Sequence, residues 1–84
     1  MKVIDPSGNK REASWFAPMN ASQEDRSDFL NWVVANATAS KFEFMQDYIR
    51  VDGIPVAFGE WIVLDPTEVF TEEQFDKFFI KAQP

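Results

Sequence analysis

Neither histidine nor cysteine occurs among the 84 residues, so the usual general base near neutral pH, thiol nucleophile and zinc ligands are all missing. Any chemistry would fall to carboxylates, Ser, Lys, Arg and the one tyrosine, Tyr48. Two carboxylate pairs have a spacing that a hard cation could use, Asp65 with Glu68 and Glu72 with Glu73. Each also has a local explanation. Asp65 precedes Pro66 in a turn, and Glu72 and Glu73 are first-turn acids of a helix, where the helix dipole favours them. Gly8, Gly53 and Gly59 are too dispersed to build a phosphate-cradling loop and read as turn glycines. The expectation is a protein that is not an enzyme, with no catalytic residue, no metal and no cofactor.

Binding remains, and charge narrows its kind. The net charge is −6, and from Glu43 to Asp76 nine acids are answered only by Arg50. Direct binding to nucleic acid is disfavoured, because neutralising phosphates supplies most of that affinity. An acidic face of Glu60, Asp65, Glu68, Glu72 and Glu73 has two readings: a solvated, solubilising surface, or carboxylates spaced like phosphates that occupy a basic groove on a partner. Nine Phe and three Trp supply the volume of an aromatic core in what reads as one domain, and at least two of the three Trp are expected inside. Phe16, Met19 and Trp32 fall off the best inward parity or in a loop, which makes them the expected apolar contacts for a protein partner. The start of the sequence lacks the apolar centre of a signal peptide and no stretch approaches the length of a membrane span, so a cytosolic protein without membrane contact is expected.

The elements that must position these residues follow from turn chemistry and periodicity. Turn formers over residues 5–9 join a strand over 2–4 to a strand over 11–16, with Trp15 inward. Ser22 caps a helix with Asp25 three residues on, and Phe29, Leu30, Val33, Val34 and Ala37 form its apolar stripe, with Trp32 widening that stripe or at its edge. Residues 41–51 read as a strand whose inward parity switches between Phe44 and Met45, which predicts a bulge near 45–47 or burial on both faces. Asp52-Gly53 is a two-residue hairpin turn, Pro55 implies an edge position or an irregular return, and Gly59 marks another turn before a strand over 60–64. Thr71 caps a last helix, with Gln74 completing a capping box and Phe70 and Phe75 in staple positions. Phe75, Phe78, Phe79 and Ala82 are its inward stripe, and Lys77 and Lys81 sit towards its C-terminal end. The fold class expected is α+β, a small antiparallel sheet of three to four strands packed by two helices, in the order strand, helix, two or three strands, helix.

The run Gly59-Glu60-Trp61-Ile62-Val63, followed by Phe75 and Phe79, resembles a family of small bacteriophage and prophage proteins of uncharacterised function. ASWFAP and the following helix are similar in order, so the resemblance spans about residues 12–80. It departs at Asp65-Pro66-Thr67-Glu68, where those proteins commonly carry a Gly-Glu turn. The resemblance implies a phage or prophage origin more than an activity. The function expected is a non-enzymatic accessory protein that binds a host or phage protein in the bacterial cytoplasm. The alternatives are an acidic nucleic-acid mimic that inhibits a host enzyme, and a small-ligand-binding oligomer or virion component. A homodimer through an exposed sheet edge is open.

Overall fold

The computed structural model describes residues 1–81. In chain order these residues form β1 (Lys2–Ile4), β2 (Lys10–Trp15), α1 (Gln23–Asn36), β3 (Phe42–Phe44), β4 (Tyr48–Val51), β5 (Ile54–Ala57), β6 (Trp61–Val63), β7 (Glu68–Phe70), α2 (Glu72–Phe78) and β8 (Ile80–Lys81). The architecture is α+β with two helices, but the single sheet of three to four strands is incorrect. The strands divide into a five-stranded sheet, ordered β7-β6-β2-β1-β8, and a three-stranded sheet, ordered β3-β4-β5. All pairings are antiparallel.

The five-stranded sheet is covered on both faces. On one side Phe16, Ile62 and Leu64 pack with Phe29, Trp32 and Val33 of α1 and with Ile49, Val51 and Val56 of the smaller sheet. On the other, Val3, Ala13, Trp61 and Val63 pack with Phe75 and Phe79 at α2. Double coverage explains why residues 61–64 are unbroken apolar sequence: each parity of the strand has its own core to fill.

Several turns follow their local chemistry. Asp52 and Gly53 hold positive φ of 51° and 83°, the two-residue turn that links β4 to β5 with Val51 opposite Ile54. Gly59 has φ 87° and donates to the Phe16 carbonyl, extending the β2–β6 ladder. Ser22 caps α1 by accepting from the Asp25 N–H at 3.1 Å, and Thr71 and Gln74 complete the capping box of α2. Pro55 lies in β5, at the end of its sheet.

Elsewhere the chain corrects the expectations. The parity switch in 41–51 is a chain reversal and no bulge: β3 ends at Phe44, the Met45 N–H donates to Tyr48 O, and β4 returns. The last helix stops at Phe78, so Lys81 belongs to β8 beside β1. Phe78 is exposed and outside the inward stripe, while Ala82 lies outside the described residues. In α1, Leu30 and Val34 are exposed, and the buried side is Phe29, Trp32 and Val33. These three span an arc of about 100° on the helix, and Leu30 and Val34 lie about 60° and 100° beyond it. The larger indole decides the rotation: Trp32 buries more surface than Leu30 or Val34, and its N–H reaches Glu12 on β2 at 3.1 Å.

Two carboxylates tie separate segments together, and both make stability depend on pH. Burial acts to raise the pKa of Glu12, but the hydrogen bond from Lys2, the N-terminal ammonium and the Trp32 indole outweigh it and hold the group below its ordinary value. Asp52 is held low by the Thr67 hydroxyl and the Lys41 backbone N–H. A depressed folded pKa stabilises the fold above the unfolded value, and that contribution is lost as pH falls through the folded value. The melting temperature is therefore expected to be level above about pH 5.5 and to fall below about pH 4.5. In a Glu12→Gln, Asp52→Asn double variant the deficit relative to wild type should shrink as pH is lowered. A deficit constant from pH 6 to pH 3, on the order of those reference values, would refute the assignment.

Candidate functional site

Several of the large apolar side chains not absorbed by the two cores gather at one place, while Val34, Ile54, Phe78 and Ile80 are exposed elsewhere. The loop after β2, the first half of α1 and the β3–β4 reversal enclose a groove of about 340 Å³. Phe16, Phe29 and Ile49 form its floor, all buried. Its rim is Met19, Leu30, Phe44, Met45 and Phe58, all exposed, with Met19 at 74% and Phe44 at 57%. Phe58 stacks on Phe16 at 4.5 Å, and Phe16 meets Phe29 at 5.0 Å, so floor and rim are one aromatic stack. Among the described residues, Arg26 is the only charged one in the lining.

Local sequence explains why this end stays open. Phe44 lies on the inward parity of β3 beside Ile49, but the strand ends there and the reversal lifts Met45 and Gln46 away from the core. Leu30 is left at the groove by the rotation of α1 that buries Trp32. A cluster of large exposed apolar side chains costs solubility and contributes little packing.

Of the expected apolar contacts, Met19 is exposed on the rim, but Phe16 and Trp32 are core residues, 5% and 7% exposed. Phe16 continues the β2–β6 ladder by donating its N–H to the Glu60 carbonyl, which turns its ring under α1. Trp32 meets Phe42 edge-on at 5.8 Å. Both rings were placed outside by parity and stripe assignments that tertiary packing overrides: the sheet buries both of its faces, and α1 turns Trp32 inward.

The acids do not form one face with one role. The Glu60 carboxylate folds back onto the Ala57 N–H at 2.7 Å and closes the 57–60 turn. Glu68 pairs with Arg11 at 2.7 Å. Asp65 is exposed with φ 68°, and Glu72 and Glu73 are exposed in the first turn of α2. Among the described residues no three Asp or Glu side chains group as a metal site would require.

Arg11 was not singled out by sequence reasoning, although it shares the inward parity of Ala13 and Trp15. It is buried, donates from Nε to the Leu64 carbonyl at 3.1 Å and from Nη2 to the Pro66 carbonyl, and lies 5.9 Å from the Phe79 ring centre. A polar cleft of about 500 Å³ opens beside it, but its Lys2, Glu12 and Asp52 side chains are engaged with one another or with backbone. The groove is the larger departure from what folding alone requires.

The molecule is thus an α+β protein whose distinctive surface is an apolar groove with no array of catalytic groups in its lining. Among known proteins, no family model, no curated sequence and no solved structure matches the chain. No helix among the described residues is long and apolar enough to cross a membrane.

Proposed function

We propose that this protein acts by binding another protein through the groove rimmed by Met19, Leu30, Phe44, Met45 and Phe58, as a small accessory protein of phage or prophage type in the bacterial cytoplasm. The observation that supports this reading is the convergence of five exposed large apolar side chains on a single concavity. Such surfaces hold partners by burying a few large side chains in a groove and excluding water around them. The acidic decoy is less well supported, because Glu60 and Glu68 are committed within the fold.

Leu30→Asp and Met45→Asp change exposed side chains, so each is expected to alter unfolding free energy by no more than about 0.5–1 kcal/mol. A tagged wild-type protein should retain a stoichiometric partner from bacterial lysate, and both variants should lose it. Retention that persists in both variants but disappears with modest added salt would overturn the groove reading in favour of the acidic surface.

A further inference from the structure

Beside the groove, β3 presents an unused backbone edge. The Met45 N–H donates to Tyr48 O at 2.9 Å and the Asp52 N–H to Lys41 O at 2.8 Å, which fixes the alternation of the β3–β4 ladder. Residues 41, 43 and 45 bond towards β4, and the N–H and C=O groups of Phe42 and Phe44 point the other way. β3 ends its sheet on that side. At the opposite edge β5 carries Pro55, which withdraws a donor and blunts pairing. No proline protects β3.

Side chains define what would pair there. Phe42 and Phe44 face the core side of the sheet together with Ile49 and Val51, and Phe44 reaches the groove rim. Glu43 points to the opposite face, directly across from Arg50. Arg50 turns away from it: Nη2 lies 3.4 Å from the Tyr48 hydroxyl and the guanidinium 5.9 Å from the Tyr48 ring centre. Glu43 therefore has no ion-pair partner among the described residues.

A second copy of the chain fits this edge poorly. In the antiparallel register that pairs Phe42 with Phe44 of the other copy, each Glu43 directly faces the other, and like charges at that spacing are destabilising. In the register that pairs Phe42 with Phe42, Lys41 faces Glu43, but Ser40 lies over Phe44 and no apolar side chain enters the groove beside it. A strand with Lys or Arg at that position would instead be favoured, and its two neighbours would lie over Phe42 and Phe44.

Building on the groove reading above, we propose that the partner docks as an extended segment added antiparallel to β3, with an apolar–basic–apolar sequence whose basic residue faces Glu43 and whose apolar neighbour enters the groove beside Phe44. Main-chain hydrogen bonds to Phe42 and Phe44 supply affinity, and the alternating side chains supply selectivity.

The test uses ¹⁵N- and methyl-labelled protein with two short synthetic peptides, one with a valine–lysine–valine centre and one with valine–glutamate–valine. The lysine peptide should slow hydrogen exchange at the Phe42 and Phe44 amides and bind roughly threefold more tightly than the glutamate peptide. Glu43→Gln should abolish that preference and Glu43→Lys should reverse it, with melting curves confirming that both variants fold. If methyl signals of Met19, Leu30 and Met45 shift while the Phe42 and Phe44 amides stay unprotected, strand addition is overturned and the groove reading stands. A preference unchanged by both Glu43 variants overturns the charge assignment. Absence of any response at methyls and amides with either peptide overturns the groove and the edge together.

Discussion

Phe75→Ala is expected to lower stability by about 3–5 kcal/mol, the cost of emptying a fully buried aromatic site. Phe75 is 1% exposed; its ring lies parallel to Trp61 at 3.9 Å and stacks with Phe79 at 5.2 Å. α2 has seven residues, far too few to hold a helix without tertiary packing. Its capping box satisfies the first turn, but the box cannot fix the helix to the sheet. That attachment comes from Phe75 and Phe79 lying over Val3, Ala13 and Val63. A chain of this size has only about 3–5 kcal/mol of net stability, so the variant should lose cooperative melting at 25 °C, or nearly so. Tryptophan emission should move to the red as Trp61 is uncovered. Phe78→Ala, at an exposed position of the same helix, should shift the melting temperature by only a few degrees, about 0.5 kcal/mol. Equal effects of the two substitutions would refute the assignment of α2 to the second core.

The contrast between Phe75 and Phe78 also shows what could be read from sequence. Features encoded within a few residues were legible: the Ser22 cap, the Thr71–Gln74 box, the Asp52-Gly53 turn and the edge position of Pro55 each have a local cause. Features decided by where a second segment lies were not. β7 and β8 have three and two residues, too short for any periodic pattern, and exist because β6 and β1 offer them open edges. In 41–51, a bulge and a reversal change parity in the same way, and only the pairing of Phe42 with Val51 separates them.

The groove was partly legible for the same reason. Met19 could be placed outside because it lies in a loop, whereas Met45 shared the parity of Ile49 and Val51 and is exposed only because the chain reverses there. Leu30 could not, since the rotation of α1 depends on the Trp32 indole reaching Glu12, a residue on another strand. Phe16 was misplaced because it lies off the parity of Ala13 and Trp15, whereas the sheet is covered on both faces and its opposite parity fills the core under α1. The apolar groove thus becomes visible only once both cores are assembled and the rotation of α1 is set.

Arg11→Met should cost about 2–4 kcal/mol, through unpaired carbonyls more than through lost Coulomb attraction. Methionine retains most of the apolar stem, so the substitution isolates the guanidinium. That group holds the irregular 64–68 segment from inside: Nε bonds to Leu64 O, Nη2 to Pro66 O, and Glu68 and Asp5 lie 2.7 and 3.7 Å away. Removing it strands those carbonyls, while the carboxylates fare better. Asp5 keeps the Ser7 and Asn9 N–H donors, and the Glu68 side chain is 45% exposed and can rehydrate. Glu68→Gln should accordingly cost less than about 1 kcal/mol. Arg11→Lys should recover only part of the loss, because one ammonium cannot reproduce a planar fork bonded to two carbonyls. Urea melts of the three variants supply the ranking, with Met worst, Lys intermediate and Gln nearest to wild type. Equal losses for Arg11→Met and Glu68→Gln would mean that the ion pair, and not the carbonyl fork, carries the energy. Because Arg11 faces α2 while the groove opens on the α1 side, peptide affinity of the fraction still folded should match wild type, which separates this structural role from binding.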